Sequence, residues 1–152
     1  MDRDHFHIAL FSNASQKVYP DNKIGAFTIQ LAKPITFDSS EKWEVGLCEL
    51  SYSATQQLVD MAVITNALVY CDLIAPQFIG TAMARYLRTF KIGPADYDSE
   101  YLFENVYYVP VEKRAFRDIL IEILNLSGER IPFRDSQIPL KVVLHFRRVV
   151  TY

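Results

Sequence analysis

The chain of 152 residues holds three histidines, and two of them stand together as His5-Phe6-His7. In an extended strand alternate side chains share a face, so the two imidazoles project from one side, roughly 7 Å apart at Cβ. The third, His145, lies in the last apolar run, Leu140-Lys-Val-Val-Leu-His-Phe-Arg-Arg148. Antiparallel pairing of the first and last runs would bring His145 beside His7 on the polar face. Three imidazoles suit a zinc-like ion. The plainer reading is a solvated strand face with three ordinary histidines, and the expectation is no metal and no cofactor.

Other chemistry finds less support. A His-x-His enzyme centre of the cupin kind wants framing glycines and a glutamate a few residues on, yet the next glutamate is Glu41 and no glycine precedes His5. Cys48 and Cys71 fall within predicted strands. No serine sits in a G-x-S-x-G elbow, and the five glycines are scattered without a phosphate-binding loop. Asp96 and Asp98 share a polar loop in which both carboxylates are simply solvated. The expectation is therefore not an enzyme.

The elements that must carry these residues are short alternating runs separated by turn residues, the pattern of an all-β sandwich. Phe6, Ile8 and Leu10 share one face against His5, His7 and Ala9. Within Gly25 to Leu31, Phe27, Ile29 and Leu31 point inward. Trp43, Val45 and Leu47 do the same within Lys42 to Tyr52. Leu68 to Ile74 is apolar on both faces, as a central strand covered twice should be. Tyr86 to Ile92 and Asn105 to Val111 follow, with Pro110 marking an edge or a strand end. Phe116, Ile119, Leu120, Ile123 and Leu124 fit a helical stripe, but Ile119, Ile121 and Ile123 fit a strand, and β-branched enrichment favours the strand. In the last run Leu140, Val142, Leu144 and Phe146 face one way, and Lys141, His145 and Arg147 the other. Eight strands over one domain, residues 1–152, suit a jelly roll of two four-stranded antiparallel sheets.

Bulk composition agrees. A chain of this size buries roughly 70% of its unfolded surface. Half of the residues are apolar and 13% aromatic, enough for a core without staples. Sixteen basic against eighteen acidic residues leave a net charge of −2, which argues against a specific nucleic-acid partner. The charged opening, Met-Asp-Arg-Asp-His, is unlike a signal peptide, and Met61 to Ala75 is too short to span a bilayer. A soluble intracellular product with no membrane insertion is expected. In such a compartment the sequons at Asn13 and Asn125 are chance matches, and the two cysteines stay reduced.

Several motifs resemble one family. Phe6-His-Ile-Ala-Leu-Phe-Ser-Asn-Ala-Ser15 followed by Tyr19-Pro-Asp-Asn22 resembles the opening of penton (minor capsid) proteins of Maverick/Polinton-type elements and related adintovirus-like and virophage-like DNA viruses. Trp43-Glu-Val-Gly-Leu-Cys-Glu-Leu50 is similar to their W-E-V-G-L-x-E strand. Tyr108-Val-Pro-Val111, Gly128-x-x-Ile131-Pro-Phe133 and Leu144-His-Phe-Arg-Arg148 resemble the family's Y-V-P-V, G-x-x-I-P-F and L-H-F-R-R signature in order and spacing. The anchors sit at the two ends; the stretch from about Gln56 to Asn105 carries no matching motif.

The resemblance implies a single jelly roll that assembles as a homopentamer at icosahedral vertices of a virion capsid, beside a double jelly-roll major capsid protein. The alternative is a jelly-roll lectin or receptor-binding module domesticated from such an element. For a five-fold ring the acidic, aromatic segment around Asp96, Tyr97, Asp98, Glu100 and Tyr101 and the basic residues Arg114 and Arg117 are the interface candidates. A cyclic ring needs two different patches on each subunit, which opposite charges would supply. The plainer reading folds the aromatics back on the sandwich and leaves the charges in solvent.

Overall fold

The computed structural model describes residues 4–52, 66–92, 99–131, 133 and 138–150. Eleven strands run through them: β1 (His5–Phe11), β2 (Ala26–Thr36), β3 (Trp43–Tyr52), β4 (Asn66–Cys71), β5 (Gln77–Ile79), β6 (Ala82–Ala84), β7 (Tyr86–Lys91), β8 (Ser99–Leu102), β9 (Tyr108–Pro110), β10 (Ala115–Asn125) and β11 (Lys141–Arg148). The first sheet is ordered β1-β11-β3-β8, with β9 also on β3. The second is ordered β2-β10-β4-β7. Every pairing is antiparallel.

Nested pairs generate this order. β1 meets β11, β2 meets β10, β3 meets β8 and β9, and β4 meets β7. The chain is thus one long antiparallel ribbon, and the β5–β6 hairpin is its tip, turning at Gly80 with φ +59°. Rolling the ribbon so that β11 also meets β3, and β10 also meets β4, makes two facing sheets. That is the jelly roll expected from the sequence. Among the described residues there is no helix, and so none long and apolar enough to cross a membrane.

The strand count differs from the expected eight. Asn105 to Val111 is expected to be one strand, but only Tyr108–Pro110 joins β3 there, Val111 makes a lone bridge to Ile74, and Ser99–Leu102 takes the other half of β3's free edge. One edge position is therefore shared by two short strands, because the chain between them leaves the sheet. The first sheet has five strands instead of four, and the ribbon tip adds two more. The segment that fitted both helix and strand is strand β10, with Ile119, Ile121 and Ile123 fully buried.

Alternation holds where the ladders are regular. Leu140, Val142, Leu144 and Phe146 show no exposed surface, and β4, central in its sheet, buries Ala67, Leu68 and Val69 in succession. In β3 the phase changes part-way. Val143 pairs with Glu49 but Leu144 with Leu47, so Cys48 is the extra residue of a bulge. Beyond it Leu50 and Tyr52 face the core, where Val45 and Leu47 did before. Aromatic rings close the sandwich at both ends. Phe6 stacks on Phe146 and Phe37 on Trp43, with ring centroids 4.9 and 4.6 Å apart. Tyr52 meets Phe90, Tyr101 and Phe133 at the other end.

Phe146→Ala should cost about 3–5 kcal/mol in urea unfolding, the usual range for a buried phenylalanine. Phe78→Ala, 72% exposed on the tip hairpin, should stay within about 0.5 kcal/mol. Cys71 is wholly buried, and burial pushes its thiol up to about 12. An unfolded thiol ionises near roughly pH 8.5, so this stabilisation is present below that range. It is lost as pH rises towards about 12. Unfolding midpoints should fall between pH 8 and pH 10 more steeply for the native chain than for Cys71→Ala.

Candidate functional site

Pairing of β1 with β11 brings the three histidines onto one outer face. His7 is directly opposite His145, and His5 is opposite Arg147. The His7 and His145 rings stack at 4.3 Å between centroids and 18° between planes. His5 Nδ1 lies 3.1 Å from His145 Nε2. One ring nitrogen from each residue falls within 4.8 Å of the other two. The expected meeting of His145 with His7 is thus realised, and His5 joins it through the neighbouring backbone position.

A further layer holds His145. The Tyr108 hydroxyl lies 2.7 Å from His145 Nδ1, a hydrogen bond whose direction follows the tautomer. The Arg147 guanidinium sits over the Tyr108 ring, 3.4 Å from its centroid, and donates to Glu44 Oε1 at 2.5 Å. Charge on Arg147 is therefore compensated within the cluster. Partial burial, followed by the charges of His7, His5 and Arg147, holds His145 below the ordinary histidine pKa. Its neutral form, with a free nitrogen lone pair, is the favoured one.

Tyr108 reaches this position because of Gly46. A Cβ on Gly46 would strike Val106 Cγ1 and stand 2.8 Å from the Tyr107 carbonyl oxygen and 3.3 Å from Tyr108 Cδ1. Only a residue without a side chain lets the 106–108 segment cross β3 on its outer face. Residue types and spacing give Gly46, Tyr108 and Glu44 no place in a histidine cluster. Their contribution depends on which strand β9 joins, and that pairing has no signature in local alternation.

The interface candidates are dispersed. Asp96, Tyr97 and Asp98 lie outside the described residues. Glu100 is exposed on β8, opposite Ser51. Tyr101 is half-buried, with its ring among Tyr52, Phe90 and Phe103 and its hydroxyl donating to the Lys91 carbonyl at 2.6 Å. Arg114 donates to the carbonyls of Asp38 and Glu41, and Arg117 to that of Leu31. Both are exposed. Arg88 of β7 is held over the rings of Phe103 and Tyr107 at 3.8 and 4.6 Å.

A solved viral protein has this fold. The crystal structure of the selenomethionine-labelled mavirus penton protein matches with a TM-score of 0.64, over 95% of this chain and 99% of that one. Sequence identity is 8%, so the likeness is one of fold. No family profile and no curated protein matches the chain. The single jelly roll that the motif resemblance implied is the architecture shared with the mavirus protein.

Two substitutions test the second layer of the cluster. Gly46→Ala should destabilise by about 1–3 kcal/mol through overpacking. Tyr108→Phe should cost about 0.5–1.5 kcal/mol, the net value of one hydrogen bond. In the second variant the ring resonances of His145 should move in NMR spectra while those of the core methyl groups stay in place.

Proposed function

We propose that the chain is a structural subunit of a viral capsid, of the penton type. The observation that carries this reading is the end-to-end correspondence with the mavirus penton protein, in which nearly the whole of both chains superimposes as one jelly roll. The motifs at both ends of the sequence point the same way. No step of chemistry is required of such a protein. Its mechanism is geometric: side walls of neighbouring copies bury against one another until a ring closes at a vertex. The remaining outer surface docks against a double jelly-roll major capsid protein, and the site of action is the virion capsid.

The surface has material for such contacts. Leu102 and Tyr107 are 64% and 60% exposed at the β8–β9 edge, and Phe78 and Met83 stand side by side, exposed, on the ribbon tip. Exposed apolar side chains grouped in this way suit interfaces. Five-fold closure needs unlike patches to meet, and the acidic segment around Asp96, Asp98 and Glu100 complements Arg114 and Arg117 on the next copy.

Light scattering on purified protein, followed by negative-stain imaging, tests the assembly. A mass near five subunits with ring-shaped particles is the expected result at low salt. Arg114→Glu with Arg117→Glu should weaken the ring and remove its salt dependence, while the corresponding glutamine pair has a smaller effect. An assembly indifferent to both changes would move the interface elsewhere. A monomer that binds glycans and does not co-assemble with a major capsid protein would refute the capsid role.

A further inference from the structure

We propose that His5, His7 and His145 bind one divalent cation of the kind that prefers imidazole, with zinc as its representative, on the outer face of the first sheet. The placement of the ligands is set by the backbone. Two come from alternate positions of β1 and the third from the residue of β11 paired with His7, so all three project from one side of a hydrogen-bonded ladder. With Zn–N bonds of about 2.0–2.1 Å, tetrahedral ligand nitrogens stand roughly 3.4 Å apart. The His5–His145 pair is already at 3.1 Å, and all three nitrogens lie within 4.8 Å of one another. Small rotations of exposed side chains close the rest.

The surroundings fit as well as the ligands. A metal-bound histidine normally gives its other ring N–H to an acceptor that fixes the ring and its tautomer. Tyr108 stands in that place: in the tautomer with the proton on His145 Nδ1, that N–H donates to the Tyr108 oxygen and Nε2 is left for the ion. The nearest fixed positive charge, on Arg147, is offset by Glu44. His5 and His7 are exposed, so a fourth position is open to water. Loading replaces the His5–His145 hydrogen bond with two metal–nitrogen bonds and ties the first strand to the last. Among the described residues no other grouping of histidine, cysteine and carboxylate side chains has this closeness. The site belongs to a single chain and stands whether or not copies of the chain assemble.

Calorimetric titration of Zn2+ into chelator-stripped protein tests the site. One ion per chain should bind saturably, raise the thermal midpoint and release on adding EDTA, while Mg2+ should give no heat. His7→Gln and His145→Gln should each weaken binding tenfold or more, and Tyr108→Phe by about tenfold or more. Co2+ in place of zinc should show the visible absorption of a nitrogen-rich tetrahedral site. His7 is exposed, so an unchanged urea midpoint without metal will show that His7→Gln folds, and a cooperative urea transition will show the same for the His145 and Tyr108 variants. Absence of saturable binding would overturn the proposal. So would equal affinity in the histidine variants, or half an ion per chain accompanied by doubling of the solution mass.

Discussion

The structure depends on one long-range pairing, that of β1 with β11. It joins residues as far apart as His5 and Arg147, and every inner pairing of the ribbon is enclosed by it. The cost of closing so large a loop grows only slowly with its length, so the ladder and the aromatic stacking beneath it can repay it. Phe6 against Phe146 supplies that stacking on the inner face, and the histidines occupy the outer face of the same pairing. Because side chains alternate, one register fixes both. A slip by one residue would expose the phenylalanines and bury the imidazoles.

This coupling explains why so much of the fold was legible in the sequence. Where a strand is regular and buried on one face, as in Leu140 to Phe146, burial follows the residue types one by one. The meeting of His7 with His145 follows from the same logic, since it needs only the phase of each strand and the pairing of the two outermost. Legibility stops where the backbone breaks its period. Cys48 shifts the phase of β3, and no residue near it announces the bulge. The expected strand from Asn105 to Val111 failed for a related reason: the chain rises over Gly46, so the residues before Tyr108 leave the ladder although their types favour one. Tyr108's place in the histidine cluster is set by that crossing, and so could not be read from spacing.

The two faces of the first sheet therefore carry different loads. Its inner side is aliphatic and aromatic and makes the sandwich. Its outer side is a polar layer in which Glu44, Arg147, Tyr108 and the histidines satisfy one another. A polar layer over a hydrogen-bonded ladder has its geometry set by the chain's own register. The opposite arrangement holds at the β8–β9 edge, where Leu102 and Tyr107 present exposed apolar surface.

The place of β11 between β1 and β3 has a consequence for how the protein is made. The inner strand of that sheet is synthesised last of its members, so on the ribosome β1 and β3 have no common partner until residues 141–148 have emerged. The second sheet is less delayed, because β10 precedes β11 in the chain and can join β2 to β4 first. The first sheet is thus closed only when β11 joins β1 to β3.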